Sequence, residues 1–299
     1  MAELDYSSVN RYWNEIQPSI LGPYMMDGFG FPEGAGRFRF RAEIEIVQRL
    51  AGSLRPEGAV LDLGSGVGYW AEFFAGNFRR VVAVEDSASL YEALRERSAW
   101  HPNIEAIRGN VMEYEPDDRY ELIFLGGLLM YLNEVDLIAL LRKLARFLAP
   151  GGMILCREST VREGTLTRQG EYQATYRSVE AYEAIFQQSG FAIARQEINA
   201  PYVLLQMGCE IMKRWKSFGW VGERLVNLAG HIVYWGLRLG NPLIRRIPGA
   251  LGIKFPELTN HFFALQLVGA SDRKIPPAAR HRNRVNPGSL PPGNLFRKQ

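Results

Sequence analysis

Cysteine is scarce in this chain of 299 residues: Cys156 and Cys209 alone leave no disulfide framework and no cysteine-built metal cluster. Charge of one sign is scarce too, since 35 Lys and Arg stand against 32 Asp and Glu. The resulting +3 is too small to imply a nucleic-acid partner by itself. The first ten residues carry Glu3 and Asp5 and lack an apolar run, so no secretory signal is expected. A reducing, cytoplasmic compartment is therefore the default expectation. No helix-like apolar stretch reaches the ~20 residues of a membrane span; residues 225–239 come nearest and fall short. His, Cys, Asp and Glu nowhere fall at metal-ligand spacing, so no metal is expected. Internal repeats are absent. The length suits one α/β unit with additions around it.

What is present is concentrated at residues 60–68, Val-Leu-Asp-Leu-Gly-Ser-Gly-Val-Gly. A short buried strand runs into a G-x-G-x-G turn, with a helix expected from about Val67. Such a unit brings backbone N–H groups and a helix N-terminus close to a nucleotide-like ligand. Asp62, two residues before Gly64, is placed to orient the loop or to meet a cationic group. A dinucleotide fingerprint would need its third glycine at position 69, where Tyr69 stands; the third glycine is Gly68. Nicotinamide and flavin readings lose their main support.

A second apolar run, 81–84, ends in Glu85, an acidic residue about 20 positions beyond the glycine loop. Its carboxylate suits a pair of ribose hydroxyls; the alternative is a cap on a helix starting near Ser87. Residues 103–110 read as a third strand, and 120–127 as a fourth that breaks at Gly126 and Gly127. A helix with apolar residues at helical spacing is expected over 133–148, stopped by Ala149-Pro150-Gly151-Gly152. Residues 153–156 form a fifth strand that leads to Arg157 and Glu158, with Cys156 in the core.

This order resembles the class I S-adenosylmethionine-dependent methyltransferases over roughly 41–198, with a last strand at about 261–268. The resemblance implies a doubly wound, mostly parallel, seven-stranded sheet with helices on both faces. It implies S-adenosyl-L-methionine as cofactor, bound by Asp62, Gly64, Ser65, Gly66, Gly68, Glu85, Asp86, Asn110, Val111, Met112 and Gly126. Asn110 stands where the family usually carries Asp, and its side-chain oxygen can still accept from the adenine amino group. Val111 and Met112 would pack on the base. Leu125-Gly126-Gly127-Leu128 replaces the Asn/Asp-Pro-Pro-aromatic tetrapeptide of many amino methyltransferases, which argues against DNA-adenine and glutamine substrates. A metal-dependent catechol-type mechanism is disfavoured.

Three regions lie outside that core. Residues 1–40 hold Tyr6, Tyr12, Trp13, Tyr24, Phe29, Phe31, Phe38 and Phe40, with 28–36 expected as a loop. They read either as a lid or as a structural cap. One of Arg37, Arg39 and Arg41 would meet the methionine carboxylate, or all three are surface charge. After the fifth strand, Ser178 is expected to cap a helix ending at Gly190. Ligands in open α/β sheets lie outside the strands' carboxyl ends. That places Tyr131 and Glu158 as catalytic candidates, Glu158 to orient or deprotonate an acceptor, and Arg157, Tyr172 and Tyr176 as acceptor contacts.

The third region, 201–258, is a helical insertion before the last strand. Its helix at 225–239 sets Asn227, His231, Tyr234 and Arg238 on one side and a broad apolar face on the other. Basic residues and tryptophans surround it, so packing on the core, dimer formation and peripheral membrane contact through 203–254 all stay open. The divisions expected are 1–40, 41–200, 201–258, 259–270 and a disordered basic, proline-rich tail, 271–299. The function expected is methyl transfer to an N or O nucleophile of a small or lipid-like acceptor. Alternatives are a protein or RNA methyltransferase, or a catalytically silent scaffold. Nothing in the sequence reads out an oligomeric state.

Overall fold

A computed structural model describes residues 3–16, 33–216, 228, 231–236, 239 and 257–269. Its centre is β1 (Ala59–Leu63), five consecutive buried residues. Alternation sends Leu61 and Leu63 to one face of the sheet and Val60 with Asp62 to the other. β2 (Arg80–Glu85) and β4 (Tyr120–Gly126) flank it in parallel, and β3 (Ile104–Arg108) pairs parallel with β2. β5 (Leu148–Thr160) follows β4 in parallel, and β9 (Thr259–Leu267) runs antiparallel between β5 and β8 (Phe191–Ile198). Those seven strands are the expected sheet. Two more, β6 (Thr165–Arg168) and β7 (Ala174–Arg177), form a hairpin that joins β5 at Thr160. Among the described residues the sheet therefore has nine strands rather than seven.

Helices cover both faces. α5 (Glu134–Ala145) presses Leu137, Leu140, Leu141 and Leu144 onto Leu61, Leu63, Ile123 and Leu125, beside α6 (Val179–Gln188). Each such leucine contributes about 1.5–3 kcal/mol by burial. On the opposite face α2 (Glu33–Ala51), α3 (Tyr69–Ala75) and α4 (Ala88–Ser98) bring Ile46, Val47, Leu50, Phe74 and Leu94 onto Val60, Val81, Leu122 and Phe124. Cys156 is fully buried, as expected.

Local boundaries differ in ways the backbone explains. α3 opens at Tyr69, not Val67, with Gly68 as its left-handed N-cap. α5 ends at Ala145, and the expected breaker Ala149-Pro150-Gly151-Gly152 lies inside β5. There the register jumps from Tyr120↔Leu148 to Leu122↔Met153, so the breaker residues bulge rather than end the pairing. Glu33 to Gly36, expected as loop, are the first turn of α2, which passes straight through the 40/41 division. Ser178 caps α6 by accepting from Ala181 N, as expected.

α1 (Tyr6–Glu15) is tied down at both ends. Tyr6 OH donates to Asp136, Asn133 N donates to Tyr6 OH at 2.9 Å, and Leu4 N donates to Asn133 Oδ1 at 2.8 Å. At the far end Ser87 Oγ donates to Trp13 O at 2.8 Å and Ala88 N to Asn14 Oδ1 at 3.1 Å. The helix thus bridges the start of α5 to the start of α4, across the carboxyl ends of the strands.

α7 (Ala200–Lys216) opens the insertion. Residues 231–236 are helical, but Tyr234 of the expected polar stripe is buried among Ala35, Phe38 and Leu205. A tyrosine ring brings more apolar area to that contact than its hydroxyl loses. The apolar residues Leu228, Ile232, Trp235 and Leu239 are exposed, and so is His231. No helix among the described residues is long and apolar enough to cross a membrane. Tyr24, Phe29, Phe31, Asn227, Arg238 and the tail 271–299 lie outside the described residues.

Candidate active site

The glycine loop owes its shape to positive φ values of 70° at Gly64 and 55° at Gly66, which cost other residues strain. Gly64 N and Ser65 N both donate to Val84 O, at 2.9 and 3.1 Å, locking the loop onto the end of β2. Gly66 N donates to Glu85 Oε2 at 2.8 Å, and Ser87 N to Glu85 Oε1 at 3.0 Å. Glu85 thus braces the loop and the start of α4, while each oxygen keeps lone-pair capacity toward the cavity it lines. Burial raises its pKa. The cap of α4 itself is Ser87, whose Oγ accepts from Leu90 N.

Asp62 is the other acid of this end. It lines the cavity, is 1% exposed, and its Oδ2 has no hydrogen-bond partner. Burial, then repulsion from Glu85, pushes its pKa up to about 7, against a hydrogen bond from Ser65. A buried, unpartnered carboxylate oxygen is what an incoming ammonium would satisfy. Asn110 donates to Asp86 Oδ2 at 3.0 Å and accepts from Met112 N at 2.9 Å. An Asp at 110 would repel Asp86; the amide pairs with it instead and keeps one lone pair on Oδ1. Gly64, Ser65, Gly66, Asp86, Asn110, Val111, Met112 and Gly126 all line the same cavity, of about 770 Å³. Gly68 does not. A Cβ there would meet Leu94 at 2.7 Å, so this glycine serves the packing of α3 on α4.

The other end of the cavity is aromatic and cationic. Tyr12 and Trp13 of α1, Tyr131 of the short 3-10 turn Leu129–Tyr131, and Tyr172 close a ring of edge-to-face contacts. Successive ring centroids are 5.4, 5.3, 6.1 and 5.1 Å apart. Tyr131 OH, Tyr172 OH and Tyr176 OH form a chain with 3.1 Å links. Two links use two of three phenolic protons, leaving one to donate. Burial raises the pKa of all three, so they stay protonated near neutrality. Arg157 and Ser159 of β5, Arg168 of β6, and Tyr202, Leu205, Gln206 and Cys209 of α7 complete this end.

The structure brings Tyr131, Arg157, Tyr172 and Tyr176 together but leaves Glu158 out. Strand alternation turns its fully buried side chain away from the cavity that Arg157 and Ser159 line. Its Oε1 accepts from Leu128 N and Leu129 N, both at 3.0 Å, capping the turn that carries Tyr131. Burial raises its pKa to about 7. It is a support beneath the site rather than a group facing an acceptor. Arg39, one of the three arginines weighed for the methionine carboxylate, lines the cavity and is buried. Arg168, Tyr202 and Glu43 were not foreseen; only the spacing of Tyr202, Gln206 and Cys209 along α7 signalled a shared face.

Residues 35–196 match the family model described as a methyltransferase domain. The alpha N-terminal protein methyltransferase 1 of Drosophila melanogaster is 23% identical over 201 residues, covering 64% of this chain and 69% of that one. A phosphoethanolamine N-methyltransferase of Triticum aestivum is 25% identical over 211 residues, covering 69% of this chain and 40% of its own length. Among solved structures, a SAM-dependent methyltransferase of Leishmania major superposes with a TM-score of 0.58 at 15% identity, covering 87% of this chain and 82% of that one. Coclaurine N-methyltransferase bound to N-methylheliamine and SAH gives 0.57 at 15% identity with the same coverage, 87% and 82%. At such identities the superpositions show a shared fold.

Proposed function

Because the chain belongs to the class I S-adenosylmethionine-dependent methyltransferases, we propose that it methylates a neutral amine on a small molecule held inside the cavity under α1. When bound, S-adenosylmethionine supplies a methyl group on a sulfonium centre. Glu85 would hold the ribose hydroxyls, Asp62 the ammonium, and Asn110 with Met112 the adenine edge. The enzyme's task is then alignment, which supplies several kcal/mol and in favourable models about 7–11.

The observation that carries the amine is that the acceptor end, built from Tyr12, Trp13, Tyr131, Arg157, Tyr172, Tyr176 and Tyr202, presents rings, protonated phenols and a guanidinium, while Asp136, a carboxylate of the cavity wall, accepts from Tyr6 OH. Glu158 caps a turn on the far side, and the phenols of Tyr131, Tyr172 and Tyr176 stay protonated. A hydroxyl nucleophile usually needs a base, whereas a neutral amine brings its own lone pair. The aromatic ring around it offers the faces that receive an ammonium product by cation–π attraction. The wheat and coclaurine enzymes are N-methyltransferases by name, the same nucleophile class. A small acceptor follows from α1, whose Tyr6, Val9, Tyr12 and Trp13 line the cavity while both its ends are hydrogen-bonded to the core.

The test supplies radiolabelled S-adenosylmethionine with four pools: small amines, matched phenols, peptides with free N-termini, and lipid extract. Label in small amines is the expected result. Label confined to phenols would overturn the nucleophile, and label confined to peptides would overturn the acceptor size.

A further inference from the structure

The wall beside the aromatic ring holds a guanidinium that its own surroundings only partly satisfy. Among the described residues Arg157 has one carboxylate within ion-pair distance, Glu43, whose Oε1 accepts from Arg157 Nη2 at 3.1 Å. That same oxygen lies 3.5 Å from Arg39 Nε and accepts from Asn199 Nδ2 at 2.6 Å. One carboxylate therefore serves two guanidiniums and an amide, all inside a wall where Glu43 is fully buried. Arg157 Nε is buried with no hydrogen-bond partner. Its Nη1 lies 3.8 Å from where a Cβ on Gly127 would sit, at the seam between the two ends of the cavity.

The neighbouring acids do not complete the balance. Glu158, next in sequence, feels the charge of Arg157 and then of Arg177, but its side chain faces the opposite side and makes no ion pair with Arg157 among the described residues. Arg168, on the aromatic rim, is matched by Glu257 at 3.6 Å. A buried charged donor left without a partner is costly. Such a cost is recovered if a ligand brings the missing acceptor. Around Arg157 the cavity is furnished for a polar ligand: Ser159 Oγ and Tyr202 OH sit 3.1 Å from each other, and the Tyr202 ring lies 5.8 Å from the guanidinium carbon.

We infer that the acceptor carries an oxyanion, carboxylate or phosphate, in addition to its amine, and that Arg157 binds that group through the part of its guanidinium that Glu43 does not hold. This deepens the amine reading and rests on it: the amine lies against the aromatic ring, and the anion sits at Arg157. Arginine suits the role because its planar fork matches both oxyanions. The acceptor class is thus an amino acid or an amine phosphate rather than a simple hydrophobic amine. The same chemistry is present in the methionine carboxylate of the donor, so the test is made with the donor site filled.

The full-length protein, saturated with S-adenosylhomocysteine, is titrated with benzoate, phenyl phosphate and neutral benzamide. At least tenfold tighter binding of benzoate or phenyl phosphate than of benzamide is expected, and the stronger of the two identifies the oxyanion. Arg157→Gln should bring the ratio near one while S-adenosylhomocysteine binds within threefold of wild type. Arg157→Lys, which keeps the charge, should retain part of the preference. Equal binding of all three probes to wild type overturns the proposal. A tenfold loss of S-adenosylhomocysteine affinity in Arg157→Gln also overturns it, by assigning the arginine to the donor. These readouts need no turnover, so a failure to methylate any amine would strike the amine reading alone.

Discussion

The two ends of the cavity are built in opposite ways. The end proposed for the donor comes from one run of chain, Asp62 to Met112, and is built of glycine backbone and carboxylates at strand ends. The acceptor end gathers Tyr12, Tyr131, Arg157, Tyr172 and Tyr202 from separate elements, and works through side-chain rings and guanidinium. The first is a property of the fold, set by strand order and three glycines. The second is made largely by additions to it, α1, the β6–β7 hairpin and α7, set against Arg157 of β5 and Tyr131 of the turn after β4. A family can therefore hold one donor while changing acceptors, because most of the parts that surround the acceptor are not the parts that hold the sheet together.

Substitutions at the donor end should break binding outright. Glu85→Ala removes a charged acceptor from two ribose hydroxyls, each worth about 1.5–3 kcal/mol, so S-adenosylhomocysteine should bind at least ~100-fold more weakly by calorimetry. A loss under fivefold would mean that the ribose lies elsewhere. Asp62→Asn should cost about 10–100-fold through a weakened ammonium contact. With Asp62 near pKa 7 before binding, an ammonium at Oδ2 lowers that value and releases a proton at pH 6–7. Calorimetry in two buffers of different ionisation enthalpy should detect that release in wild type and lose it in the variant.

Glu158→Gln should be milder, within about tenfold in kcat, because an amide still accepts at the turn under Tyr131. A general base would cost ~10²–10⁴-fold and change the pH profile. Both Asp62 and Glu158 have raised folded pKa values, about 7 against ordinary values of 3.8 and 4.5. The folded protein then holds protons that the unfolded chain releases. Their stabilising contribution is complete below about pH 4 and is lost as pH rises through 7. The thermal midpoint of the donor-free protein should accordingly be higher at pH 5.5 than at pH 8. The smallest effect is expected at α1: Tyr6→Phe removes the link to Asp136 and Asn133, about 1 kcal/mol, and should raise the acceptor KM a few-fold without changing donor affinity.

What the sequence made legible follows the same division. The order of the strands, the glycine turn and the place of Glu85 at the end of β2 were readable because each is a contiguous pattern whose physics is local. Glu158 was misassigned for a reason of geometry. One residue along a strand exchanges one face for the other, and the boundary of β5 was not fixed closely enough to say which residue faced the cavity. The β6–β7 hairpin was missed because its strands are four residues each, too short for alternation to declare itself. Glu43 carried no signal in the sequence, yet it is fully buried against two arginines. Tertiary charge pairing of that kind leaves no local trace.

The most direct test of the two-ended cavity is a crystal structure of the S-adenosylhomocysteine complex. The expected complex has the ribose on Glu85, the ammonium on Asp62, and the sulfur facing Tyr131 and Tyr172. A sulfur turned away from those rings, or a homocysteine carboxylate seated on Arg157, would contradict it.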